Sequence, residues 1–135
     1  MQNTKTVCHL EDSLQLKRID IQIKKNFCYY IARLAKHFNY EICGLICQNN
    51  IFFLKNKSAD PKNYFIVDNL KYLEIFKKKS IDICFHSHPV SSATPSQADV
   101  EYSDNAGIPF LIYSVLENNF CLYLPEKQEA IYFCI

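Results

Sequence analysis

Apolar and polar positions along this chain follow two periods in turn. Over residues 27–38, Phe27, Tyr30, Ile31, Leu34 and Phe38 recur at helical spacing with Arg33, Lys36 and His37 largely opposite, which predicts an amphipathic helix packed on a core. Residues 42–47 and 51–55 are β-prone runs separated by Gln48, Asn49 and Asn50, a hairpin pattern with Glu41 at the mouth of its first strand. Residues 56–63 are polar and contain Asp60-Pro61, a loop signal. Asp68 can cap a second helix over 69–79, with Leu70, Leu73 and Phe76 as its stripe and Lys77, Lys78 and Lys79 in its last turn.

A buried strand over 81–85 comes next, then a polar loop from Pro89 to Pro95. Ser96 opens a short helix to about Asn105, with Gly107 as its stop. Runs at 110–116, 120–124 and 130–135 read as three further strands. Strands and helices interleave without regular alternation, so the expected class is α/β: a mixed sheet flanked by helices.

Composition narrows the partners. Nearly half of the 135 residues are apolar, enough for a substantial core. No repeat, low-complexity tract or linker divides them, so a single domain over 1–135 is expected, its core from about residue 20, with 1–19 as an extension or edge strand. Fifteen Lys and Arg balance fourteen Asp and Glu, which leaves no footprint for nucleic acid or an anionic membrane. The N-terminal stretch lacks the pattern of a secretory signal, and no run reaches the roughly 20 apolar residues of a transmembrane helix, so a cytoplasmic protein is expected. Seven irregularly spaced cysteines without a Cys-x-x-Cys pair fit reduced core residues better than a disulfide framework or a thiolate zinc knuckle.

The chemistry concentrates in His86-Ser87-His88-Pro89, six further residues, then Ser96-Gln97-Ala98-Asp99. Side chains two apart on a strand share a face, so extended backbone at the end of the 81–85 strand aims both imidazoles at one point. Pro89 ends the pairing and turns the chain into a loop that can bring the next helix back, with Asp99 as an oxygen ligand. Two histidines and one carboxylate leave a tetrahedral zinc one open position for water, the arrangement of catalytic sites. Each half also has a plainer reading. A His-x-His pair is equally at home at an exposed strand end or as a buried hydrogen-bonded pair, and Ser96 with Asp99 matches an ordinary helix-capping pattern. Cys84 shares a face with His86, which does not by itself make a nucleophile and base. His9 and His37 belong to no cluster.

Taken together, His86-Ser87-His88-Pro89, the six-residue spacer and Ser96-x-x-Asp99 resemble the complete JAMM motif of the MPN/Mov34 (JAB) metallopeptidase family. Glu41, in Glu41-Ile42-Cys43-Gly44-Leu45-Ile46, occupies the place of that family's upstream glutamate, and residues 107–115 are similar to its strand after the motif helix. The likeness covers roughly residues 27 to 125. It implies an MPN/JAB, cytidine-deaminase-like fold and a Zn2+ held by His86, His88 and Asp99. It further implies that Glu41 carries a proton from water to the leaving amine, and that Ser96 stabilises the oxyanion.

The resemblance implies a zinc isopeptidase acting on a protein or peptide, such as the tail of a ubiquitin-like protein laid along a groove as an added strand. Asn56-x-Ser58-Ala59-Asp60-Pro61, followed by Phe65 and a helix, is similar to the family's prokaryotic and phage-tail branch. There a domain of this kind often precedes a cell-wall peptidase domain, and no second domain is expected here. The rival reading is a phage-type tail-assembly or scaffold component in which hydrolysis is secondary. Oligomeric state is not legible.

Overall fold

The structure is a computed structural model that describes residues 7–10, 13–16, 22–66, 75 and 80–135. Its strands are β1 (Val7–Leu10), β2 (Ser13–Leu16), β3 (Gln22–Lys24), β4 (Cys43–Cys47), β5 (Asn50–Leu54), β6 (Ile83–His88), β7 (Phe110–Ser114), β8 (Asn119–Leu124) and β9 (Glu129–Phe133). Helix α1 spans Lys25–His37 and α2 spans Gln97–Ala106. The helix expected over 69–79, with its cap Asp68, lies outside the described residues apart from Ile75, which is buried.

The class is α/β, as expected. Strands β1, β2 and β3 form a small antiparallel sheet, and a mixed sheet of six strands runs in the order β5-β4-β6-β7-β8-β9. Its β6–β7 pair is parallel and the neighbouring pairs are antiparallel. Parallel neighbours need a long crossover, which α2 and its flanking loops supply.

The period-2 geometry of β6 sorts its residues onto two faces. Ile83 and Phe85 join Phe27, Ile31, Ile46 and Leu122 in the core beneath α1. Cys84 points the other way, into a cluster with Cys43, Leu45, Phe110 and Tyr123, against which Val100 of α2 packs. His86 and His88 have the parity of Cys84, so they share the α2 side. All six residues of β6 are buried, which is the environment of a strand covered on both faces.

Three local details differ from the sequence expectation or sharpen it. The buried side of α1 runs through Phe27, Cys28, Ile31, Ala32 and Ala35, whereas Tyr30 is 50% and Phe38 37% exposed. Small residues let the helix lie close to the sheet, and the bulkier aromatic rings are turned to its margin. The β4–β5 hairpin closes in two residues, because Asn50 pairs with Cys47 and Gln48 takes a left-handed φ of 54°. The strand expected over 81–85 begins at Ile83 and continues through His88.

The cysteines with described side chains form no disulfide: Cys28, Cys43, Cys47, Cys84 and Cys121 are buried, and Cys134 is exposed. Burial pushes the Cys28, Cys43 and Cys121 thiols up to about 12, which makes them inert core residues. Burial likewise raises Cys84, with further contributions from Cys43 and Asp99, so Cys84 is no thiolate nucleophile. No helix among the described residues is long and apolar enough to cross a membrane.

Candidate metal centre

Helix α2 begins with a complete capping box. The Ser96 hydroxyl accepts from the Asp99 N–H (3.1 Å), and the Asp99 carboxylate accepts from the Ser96 N–H (2.9 Å). Gly107 ends the helix in the left-handed region at φ 67°, the stop its position suggested. Ser103 secures that turn by donating to Ile108 O (2.7 Å), and the Tyr123 hydroxyl ties α2 to β8 by donating to Asp104 (2.9 Å). These bonds tie the C-terminal half of α2 to β8, and the carboxylate at its N-terminus meets β6 at the two histidines.

The capping carboxylate faces both histidines. Asp99 Oδ1 lies 3.1 Å from His86 Nε2, and Oδ2 lies 3.2 Å from His88 Nε2. The two imidazole centroids are 5.1 Å apart. Glu41, also buried, closes the group: Glu41, His86 and His88 each offer a ligand atom within 4.8 Å of the others, so this cluster could hold a metal ion. All four expected acids and imidazoles converge. Ser96, by contrast, is exposed at the rim and engages Asp99 through the cap.

Glu41 reaches the site through the backbone just before β4. Ser87, between the two histidines on the opposite face, donates its N–H to Ile42 O (3.0 Å), and its hydroxyl accepts from the Ile42 N–H (3.0 Å). Those bonds continue the β4–β6 pairing past Cys43↔His86 and fix the register of Glu41 beside the imidazoles.

Each imidazole is supported differently. The His88 Nδ1–H donates to Ser92 O (2.7 Å), because a carbonyl can only accept; Nε2 is the nitrogen left for the site. The loop carrying Ser92 is anchored in turn by the Ser114 hydroxyl, which donates to Ser91 O (2.7 Å). His86 is fully buried, with Phe65 stacked on its ring at 4.3 Å and Phe110 edge-on at 5.6 Å. Neither His86 nitrogen has a hydrogen-bond partner among the described residues, since the Asp99 contact lacks hydrogen-bond geometry. Burying an unpaired imidazole nitrogen costs about 1–3 kcal/mol; a metal ion would engage Nε2, which faces Asp99, and would not reach Nδ1.

The charges fit the same reading. Burial drives His86 below the usual histidine range and keeps it neutral, although Asp99 works against this. Burial also favours neutral His88, but its bonds to Asp99 and Ser92 outweigh that and raise it. Burial alone would lift Asp99, yet the two imidazoles and the Ser96 N–H hold its carboxyl well below the usual range. Burial pushes Glu41 up to about 8; His88 opposes this, while Asp99 and Asp60 add to it. A cation is favoured between Asp99 and the Nε2 atoms, and a proton on His88 or a metal ion can fill that role.

The sequence reading missed Ser87 and Ser92, whose roles rest on main-chain contacts that carry no motif. Asn56 and Phe65 had no role in the residue pattern, although Asn56 in a polar stretch that leads to Asp60-Pro61 suits an Asx turn, which it forms with the Ser58 N–H.

No protein-family model matches the chain. It is similar to the tail tip assembly protein K of Escherichia phage N15, with 26% identity over 102 residues. That match covers 73% of this chain and 42% of the relative, so the chain spans less than half the length of that protein. Among solved structures it is similar to protein DSY2949 from Desulfitobacterium hafniense, with a TM-score of 0.59 and 22% identity over 82% of this chain and 86% of the other, a likeness of fold.

Proposed function

We propose that this chain is a tail-assembly component of phage type whose fold carries a zinc-dependent, JAMM-type amide-hydrolysing centre. The similarity to tail tip assembly protein K supports the assembly role. The observation that carries the hydrolytic centre is the meeting of two buried imidazoles with the Asp99 carboxylate, at 3.1 and 3.2 Å, beside buried Glu41.

His86, His88 and Asp99 would hold the ion, and a donor set of two nitrogens and one oxygen suits zinc. Bound zinc would polarise a carbonyl and lower the pKa of an adjacent water to roughly 7. Glu41 takes a proton from the attacking water and returns it to the leaving amine. Burial lifts its carboxyl to about 8 in the metal-free chain, and a neighbouring cation draws it back down towards neutrality, where the group can both accept and return a proton. The Ser96 cap uses a hydroxyl lone pair, so the O–H proton remains available to the developing oxyanion, and capping does not exclude catalysis. The substrate class is a protein or peptide amide.

The second reading keeps the assembly role and makes hydrolysis secondary or absent; the likeness to the tail tip assembly protein of phage N15 favours it. Metal content and turnover separate the two. Wild type and Glu41→Gln should both carry one zinc per chain, and wild type should cleave among ubiquitin-like fusions and peptidoglycan peptides where Glu41→Gln does not. Zinc in both with equal turnover, or zinc in neither, would overturn the hydrolytic assignment.

A further inference from the structure

The segment Asn56 to Phe65 has no part in the chemistry above, yet it contacts the site twice. Glu41 precedes the β4 ladder, and both of its main-chain groups bond to this segment. Its N–H donates to Pro61 O (2.7 Å), and its carbonyl accepts from Asn56 Nδ2 (2.8 Å). The same Nδ2 donates to Tyr64 O (3.0 Å) and, at 3.4 Å, to Pro61 O. Oδ1 accepts from the N–H groups of Ser58 (3.0 Å) and Ile66 (3.1 Å).

Tyr64 and Ile66 flank Phe65, whose ring stacks on His86 at 4.3 Å. One carboxamide therefore grips the backbone of Glu41 and both neighbours of the aromatic ring that backs a metal-ligand candidate. Only a carboxamide combines donors for carbonyls with an acceptor for two N–H groups on so short a stem. Asp keeps the acceptor and loses the donors, and Ala loses both.

We infer that Asn56 is a positioning residue of the centre: its carboxamide holds Glu41 and Phe65 in fixed relation to the His86–His88 pair. This rests on the reading of Glu41 as the proton carrier. A small displacement of such a group from productive geometry is costly even when the group is present, so Asn56 acts without touching substrate or metal.

The test compares Asn56→Ser, Asn56→Ala, Glu41→Gln and the double variant Asn56→Ser/Glu41→Gln. Each is loaded with Co(II), and the pH midpoint of the cobalt absorption band is followed. The His86 ring-proton shifts are recorded in the metal-free proteins. Asn56→Ser adds no charge and keeps a small hydroxyl in place of the carboxamide, the milder variant should Asn56→Ala unfold.

Both Asn56 variants should bind Co(II) with less than the 10–100-fold loss that follows removal of a ligand's own outer partner. Their midpoints should move by about half a unit or more, in the direction Glu41→Gln moves it, with no further shift in the double variant. His86 should lose the ring-current displacement that Phe65 imposes. Wild-type midpoints in both Asn56 variants, with Glu41→Gln displaced, would overturn the inference. If wild type takes up no Co(II), the metal reading fails, and the metal-free His86 shift decides for Asn56: loss supports it and retention overturns it.

Discussion

Ser87 and Ile42 exchange two hydrogen bonds of 3.0 Å each, from Ser87 N to Ile42 O and from Ile42 N to Ser87 Oγ. The first is an ordinary ladder bond; the second uses a side chain and depends on the residue type. Ser87→Ala leaves the buried Ile42 N–H without its acceptor, a loss of about 1–3 kcal/mol. Because Ile42 follows Glu41, the variant should keep its zinc stoichiometry while turnover falls. Equilibrium denaturation and metal analysis on one preparation check both halves; loss of zinc in parallel with turnover would show that Ser87 supports the histidines rather than Glu41.

Glu41 and the histidines should separate cleanly under zinc. Zinc at a hundredfold excess over its dissociation constant stabilises the folded chain by about 2.7 kcal/mol. Glu41→Gln should retain most of that gain, whereas His88→Ala and Asp99→Ala should lose it and bind no stoichiometric metal. Melting temperatures with zinc and with chelator read the difference directly. A zinc-dependent rise in His88→Ala equal to wild type would remove His88 from the ligand set.

The pattern of residues made three of the four acidic and imidazole groups legible and left the fourth to resemblance. His86 and His88 follow from the period of a strand, and Asp99 from a capping box, both local rules that survive in the fold. Glu41 could not be reached that way, because its place depends on Ser87 meeting Ile42 across 45 residues. The face of α1 was misjudged for another reason: the aromatic rings of Tyr30 and Phe38 outweighed Cys28, Ala32 and Ala35 in the pattern, although small side chains permit the closest approach to a sheet. The small sheet of β1, β2 and β3 follows from pairings that no motif announced.

Two glycines should respond differently to a methyl group. A Cβ at Gly44 would run into Phe52 O and the fully buried ring of Phe85, so Gly44→Ala should destabilise by about 1–3 kcal/mol through overpacking. At Gly107 a Cβ meets nothing within 4 Å, and the cost is confined to the left-handed φ of 67°, roughly 1–2 kcal/mol. Denaturation midpoints give the sizes, and the zinc-dependent melting shift gives the discriminating measurement. It should shrink in Gly44→Ala, whose clash lies between β4, which follows Glu41, and β6, which bears His86, and persist in Gly107→Ala. Equal zinc response in both would mean that β4 and β6 absorb the strain without disturbing the site.

In the metal-free chain, Glu41 should write its burial into the pH dependence of stability. Its carboxyl rises from an ordinary 4.5 to about 8 in the fold, so between those values the folded chain keeps a proton that the unfolded chain releases. The resulting stabilisation is complete below about 4.5 and is lost as pH climbs through about 8, at no more than about 1.4 kcal/mol per pH unit. Glu41→Gln has no such proton to lose. The melting temperature of Glu41→Gln minus that of wild type, both with chelator, should therefore grow as pH rises from about 5 to about 8. His86, His88 and Asp99 titrate in both proteins and largely cancel in the difference. With zinc bound the trend should flatten, since a neighbouring cation favours the ionised carboxylate. A difference that stays constant across this range in the metal-free proteins would mean that Glu41 sits in water rather than in the protein interior.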